Sequence, residues 1–205
     1  MSGGTVPDGL WGADRDEAGT RDLYDDWAAR YDADMDRAGL IGPFRTAAAL
    51  AEAGVDRAAP VLDFGCGTGR SGVAMRVAGF SDLHGVDLSP EMLARAEATG
   101  AYASLTRIDP DADPVVAPGT AAVMASGSIC RGAGPARLLP ALARAMAPGA
   151  VLVLSYNQDT LRDRAYLDAL SEVQAEGTMR LDRATHGPQM RAPLRFATVY
   201  TLTRL

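Results

Sequence analysis

The chain has 205 residues and a formal net charge of −6, a length that suits one domain with a full-sized core. All 20 cationic residues are arginine, and the acidic balance opposes general binding to nucleic acid, which depends on neutralising phosphates. No apolar run approaches the ~18 residues of a membrane span, and the polar start MSGGTVPDG is no signal peptide, so a cytoplasmic protein is expected. The two cysteines, Cys66 and Cys130, lie in no CxxC or Cys/His cluster, and His84 and His186 are the only histidines. Neither a metal centre nor, in a reducing compartment, a disulfide is expected.

Residues 1–18 are rich in Gly and Asp without periodicity and read as a flexible tail. A single domain follows over 19–205. In TRDLYDDWAARYDADMDRAG, the residues Leu23, Trp27, Tyr31 and Met35 recur every fourth position and share a helical face, with Gly39 as the stop. GPFRTAAALAEAG reads as a second short helix with Pro43 at its start. From Pro60 the chain alternates. PVLDFG is a buried strand, RSGVAMRVAG a helix and LHGVDLS a strand. SPEMLARAEATG is a helix with Ser89 as N-cap and Pro90 at the first helical position. YASLTRID and AAVMASG are strands, PARLLPALARAMAPG a helix and AVLVLSYN a strand. DTLRDRAYLDALSEVQAEG reads as one long amphipathic helix. TMRLDRATH and LRFATVYTLTRL are two last strands that can pair antiparallel. The expected fold is α/β, a doubly wound, mostly parallel seven-stranded sheet with an antiparallel C-terminal strand. Ligands of such sheets bind beyond the carboxyl ends of the strands, at the switch point.

The sequence VLDFGCGTGRSG places Gly65, Gly67 and Gly69 at that end of the first strand. Bare glycines allow a sharp turn or a close ligand approach, and the helix that follows offers free N–H groups to an anion. Turn chemistry alone is the competing explanation. Asp87 ends the second strand 22 positions after Gly65, where an acid accepts hydrogen bonds from ribose hydroxyls. Its plainer role, a helix cap, is already filled by Ser89. The loop is GxGxG rather than the GxGxxG of nicotinamide enzymes, and Asp63 sits just before it. An acid there repels a pyrophosphate but can meet an ammonium group. A cofactor carrying both an amino acid and an adenosine fits, which describes S-adenosyl-L-methionine.

VLDFGCGTG, GVDLSPEML and the strand VLVLSY resemble the class I S-adenosylmethionine-dependent methyltransferases over roughly residues 20–160. YDDWAARYDADM and RAEATGAYASL are similar to the methyltransferase-like 27 branch. The resemblance implies that Asp63, Gly65, Cys66 and Gly67 line the methionine end, with Asp63 acting on the amino group directly or through water and Cys66 giving mainly backbone. It implies Asp87 on the ribose, Leu88 and Met92 flanking adenine, and Asp109 on the adenine amino group, with Asp111 as the competing acid. Ala125 to Ser128, including Ser126, would lie under the cofactor. Residues 19–58 would form a helical cap, with Tyr24 and Tyr31 as a lid and Trp27 in the core. Two features depart from the family's pattern: GTAAVM brings no acid into the fourth strand, and GSICRGAG lacks an aromatic or histidine signature.

Methyl transfer needs alignment and exclusion of water more than a triad. Weak candidates for a base or orienting group are His186, Tyr156 and Asn157. His84 reads as structural and Arg131 as an exposed loop residue. A small-molecule acceptor is favoured, because the DNA amino-methylating run after the fourth strand is absent and no nucleic-acid module is appended. Protein or RNA methylation, and cofactor binding without catalysis, are the alternatives. Monomer and homodimer both stay open.

Overall fold

The computed structural model describes residues 17–205. Nearly all of the segment read as a tail lies outside the described residues. Seven strands form one sheet in the order β3-β2-β1-β4-β5-β7-β6. They are β1 (Val61–Phe64), β2 (Leu83–Asp87), β3 (Ser104–Arg107), β4 (Ala122–Ala125), β5 (Val151–Asn157), β6 (Met179–Arg191) and β7 (Leu194–Arg204). The pairings among β1 to β5 are parallel, and β7 runs antiparallel to both β5 and β6. The fold expected from the sequence is the fold observed.

The helices are α1 (Glu17–Ala38), α2 (Gly42–Glu52), α3 (Arg70–Val77), α4 (Pro90–Ala98), α5 (Leu138–Ala145) and α6 (Arg164–Ala175). β1 and β4 are buried at every position, because a central parallel strand is covered on both faces and its sequence shows no alternation. On one face Val61, Leu83, Met124 and Val153 pack against α2 and α3. On the other, Val123, Ala125, Leu152 and Leu154 pack against α5 and α6. α4 starts as its sequence promises, with Ser89 Oγ accepting from Met92 N at 3.0 Å.

Two elements differ from expectation. The single helix over 159–177 is broken into a 3-10 turn, Thr160–Arg162, and α6. The break falls at Asp163, whose carboxylate accepts from Ala165 N at 3.0 Å and starts a new helix. β6 does not stop near His186 but runs on to Arg191. Its distal end folds back on the N-terminal helices: Ile41 N donates to Gln189 O at 2.8 Å, Ala192 N to Ala38 O at 2.9 Å, and the Arg45 guanidinium to the carbonyls of Thr185 and Gly187, both at 2.9 Å. Met190 joins Trp27, Met35 and Ala38 in a small separate core, so the hairpin fixes α1 in place. The β3–β4 crossover, Ile108 to Ala121, carries no helix at all. Parallel crossovers normally contain one. Here the His84, Ser104 and Thr106 side of the sheet has only loop beneath it.

Candidate active site

The three glycines serve three different purposes. All have positive φ, +74° at Gly65, +55° at Gly67 and +90° at Gly69. A Cβ at Gly65 would lie 2.3 Å from the Ser128 Cβ, so glycine lets the loops after β1 and β4 touch. A Cβ at Gly69 would meet the Ala96 Cα of α4 at 3.0 Å. At Gly67 there is nothing within 4 Å: that position faces open space. The space is a cleft of about 660 Å³ that runs from the carboxyl ends of β1, β2 and β4 along the helix-free face of the sheet, past Leu62, Thr106, Ser104 and His84, within the usual range for a site that buries a small ligand.

Asp87 stands on the cleft wall. Its Oδ2 accepts from Gly67 N at 2.8 Å and its Oδ1 from Ser89 N at 3.0 Å. Burial lifts this carboxyl above its ordinary value, and the backbone donors of Ser89, Gly67 and Leu88 pull the other way. The donors also fix the direction of the carboxylate, and each oxygen keeps a lone pair for a ligand hydroxyl. Leu88, Met92, Asp109 and Ser126 share the wall. Asp109, unlike Asp111, faces the cleft, and its Oδ1 accepts from Asp111 N at 3.0 Å. Ser126 Oγ is 2.9 Å from Thr46 Oγ1, which ties β4 to α2. Cys66 is buried, and its thiol is pushed far up by burial first and then by the neighbouring Asp63 and Asp87 carboxylates. It lines the cleft without being a nucleophile.

α1 closes the cleft from above, with Tyr24 and Tyr31 on its lining. Trp27 is in the core, and its Nε1 donates to Asp34 Oδ2 at 2.9 Å. Carboxylates of α1 reach the starts of α3 and α4. Ser89 Oγ donates to Asp25, Thr68 Oγ1 to Asp32 at 2.8 Å, and Arg70 pairs with Asp36 at 2.6 Å. Burial raises the Tyr31 hydroxyl to about 12, so it stays a hydrogen-bond donor at neutral pH.

Asp63, expected to act on the amino group directly or through water, lies behind the cleft wall. It is fully buried beneath the loop and is absent from the cleft wall. Its Oδ2 accepts from Ser71 Oγ and Tyr102 Oη, both at 2.6 Å, while Oδ1 has no partner. Tyr102 Oη in turn accepts from Gly72 N at 2.9 Å. Burial raises the Asp63 carboxyl from 3.8 to about 6, against the two hydroxyl donors. The folded protein therefore holds this proton more tightly than the unfolded chain. Its stabilising share is complete below the unfolded value and is lost as pH rises through about 6. That share is roughly 3 kcal/mol, at ~1.4 kcal/mol per unit. Asp63→Asn should melt higher than the parent above pH 7 and lose the parent's dependence between pH 4 and 6. Superimposable melting curves across that range would contradict the assignment.

The weak catalytic candidates separate. Tyr156 is not at the ligand edge: it points into the core between Tyr166 and Tyr200, because alternate residues of β5 face opposite sides of the sheet. His186 stands on β6, its ring stacked on Phe196 and its Nδ1 3.0 Å from Thr198 Oγ1, and it lines neither cavity. It is no base for this site. His84 lies on the helix-free side of the sheet, 2.7 Å from Ser104 Oγ and 3.1 Å from Asp82. Asn157 does reach ligand space, in a smaller pocket beneath α1 that also involves Arg131 and Gln189. Arg131 reads as a loop residue in the sequence, and Gln189 carries no signal there.

A 3-2-1-4-5-7-6 sheet, with a ligand-facing glycine hydrogen-bonded to an acid 20 residues on, defines the class I methyltransferase architecture. The model of the methyltransferase-domain family matches residues 30–192, and the chain belongs to that family, whose methyl donor is S-adenosylmethionine. It is 34% identical over 153 residues to methyltransferase-like protein 27 of Homo sapiens, a match that covers 72% of this chain and 62% of the human protein. Among solved structures it is similar to a TehB-like methyltransferase of Corynebacterium glutamicum, with TM-score 0.62, 20% identity and coverage of 93% and 100% of the two chains. It is also similar to an S-adenosylmethionine-dependent methyltransferase of Mesorhizobium loti, with TM-score 0.55, 15% identity and coverage of 78% and 98%.

Proposed function

We propose that the protein transfers the methyl group of S-adenosylmethionine to a small-molecule acceptor in the cytoplasm. The observation that supports the small-molecule reading is α1: held by its carboxylate contacts to the starts of α3 and α4, it lies over the cleft, with a pocket of about 80 Å³ beneath it. A folded macromolecule has no flat approach there. The net charge of −6 supports the same reading. Among the described residues, no helix is long and apolar enough to cross a membrane.

The residues present fit the cofactor. Gly67 gives the amino-acid tail backbone with no side chain in the way, and the Asp87 carboxylate, aimed by two N–H groups, accepts from the ribose hydroxyls. Leu88 and Met92 hold the adenine, with Asp109 near its amino group. The unpartnered Asp63 Oδ1 supplies negative charge below the loop for the ammonium, through water. The bound donor supplies a methyl carbon activated by a sulfonium, with a neutral thioether as leaving group. Of residues 19–58, α1 acts as the cap while α2 packs against the sheet with α3: Tyr24 and Tyr31 exclude water, and the Tyr31 hydroxyl is held as a donor for the tail carboxylate. The protein's contribution is therefore alignment. Titration calorimetry is the test. S-adenosylhomocysteine should bind with a micromolar or tighter Kd, and NAD should give no heat. Binding of NAD with S-adenosylhomocysteine silent would overturn the reading.

A further inference from the structure

The small pocket beneath α1 opens directly from the large cleft. The two share Tyr24, Tyr31, Leu40, Pro43, Ser126 and Gly127, so a group seated in one is within reach of the other. With Asp87 of β2 and the loop after β1 assigned to the ribose and the amino-acid tail, this β4–β5 side is the part of the cleft left for an acceptor. The pocket holds about 80 Å³. An apolar cavity that accepts benzene has ~150 Å³. A reacting group of a few heavy atoms fits here.

Its polar groups are complementary to a particular ligand. The Gln189 Oε1 is buried and accepts no hydrogen bond, and such an atom calls for a donor. The Asn157 Oδ1 accepts from Asp159 N, Thr160 N and Thr160 Oγ1 at 3.1, 2.9 and 2.8 Å. This fixes the amide and leaves its Nδ2 donors as what it can offer the pocket. Arg131, 3.8 Å from Asp163, adds positive charge on the same wall. Among the described residues, the lining contains no Asp, Glu or His. Its two titratable hydroxyl and thiol groups nearest the methyl end, Tyr31 and Cys130, are both raised by burial to about 12 and take no proton at neutral pH. An alcohol acceptor would need a base that the pocket lacks. A neutral amine does not.

Building on the methyltransferase reading, we infer that the acceptor is a short aliphatic amine with a neighbouring carboxylate, a small amino acid, methylated on nitrogen. Its N–H donates to Gln189 Oε1, and its carboxylate meets the Asn157 amide and the Arg131 guanidinium. The substrate's ammonium gives a proton to water before attack, a loss that the Arg131 charge favours and that frees the nitrogen lone pair. That lone pair forms the N–CH₃ bond as the S–CH₃ bonding pair returns to sulfur. The products are S-adenosylhomocysteine and an N-methylammonium that gives its extra proton to water.

The test measures S-adenosylhomocysteine release with glycine and β-alanine, against ethylamine, propionate and phenol. Turnover of an amino acid is expected, with kcat/KM lower by roughly tenfold or more for a probe missing either group. Gln189→Leu should raise KM for the amino acid by roughly tenfold while the Kd for S-adenosylhomocysteine stays unchanged. Arg131→Gln, on a loop, reads the carboxylate contact independently should the Gln189 variant fail to fold. Turnover of phenol or propionate in preference, or tight S-adenosylhomocysteine binding with no amino acid consumed, overturns the inference and leaves the methyltransferase reading standing. Failure to bind S-adenosylhomocysteine would overturn that reading instead.

Discussion

Gly67→Val is expected to abolish S-adenosylhomocysteine binding, with Kd weakened by at least ~100-fold, or roughly 3 kcal/mol. Two effects add. The native φ of +55° is one that a β-branched residue rarely adopts, so the turn must distort, and distortion moves the Gly67 N–H away from Asp87 Oδ2. The new side chain also projects into the cleft, where nothing now lies within 4 Å. Calorimetry gives the affinity, and far-ultraviolet circular dichroism shows that the fold persists. A variant that is folded and titrates like the parent would mean that this glycine does not face the cofactor.

Asp87→Ala should weaken the same ligand by roughly 1.5–3 kcal/mol, the range for hydrogen bonds to a charged group. Part of this is the ribose contact. Part is indirect, because the Gly67 and Ser89 N–H groups lose their acceptor and the loop loses its tie to β2. Asp87→Asn separates the two: its amide oxygen can keep one backbone contact, but its NH₂ cannot accept from a hydroxyl. The Asn variant should fall between parent and Ala. Equal affinities for all three would remove Asp87 from the ribose.

What the sequence disclosed was local. Glycines at alternate positions after an apolar run, an acid closing the next strand, and Ser-Pro opening a helix are signals written within a few residues of where they act. The structure places them as those signals say. What stayed hidden depends on which side of an element faces what. VLVLSYN sets Leu152, Leu154 and Tyr156 on one side and Val151, Val153, Ser155 and Asn157 on the other, but both sides of the strand are covered, so nothing in it says which set enters the α5–α6 core and which turns toward the pocket. Nothing near Asp63 in the sequence says that Ser71 and Tyr102, 8 and 39 positions away, enclose its carboxylate. Gln189 enters the site because the β6–β7 hairpin folds back onto α1 and α2, a contact about 150 residues long in sequence that no window can register. Asp163 did carry its signal, since an acid three residues after Thr160 is a start as readily as a middle, and the amphipathic pattern around it masked the break.

The helix-free crossover between β3 and β4 bears on how the protein holds its cofactor. β3 is an edge strand with three of its four residues exposed, and the connection after it contributes few buried apolar contacts. Segments of that kind open at a small fraction of the global unfolding free energy. Asp109 sits at the head of this segment, so the adenine end of the proposed complex rests on the least rigid part of the wall, whereas the ribose and amino-acid ends rest on a fixed one. In the proposed complex, capture would proceed from a pre-shaped half to one that must settle, at a cost in affinity equal to the entropy of settling it. Shortening or stiffening that strap gives a route to tighter retention of the nucleoside that leaves every contact at the transferring carbon untouched.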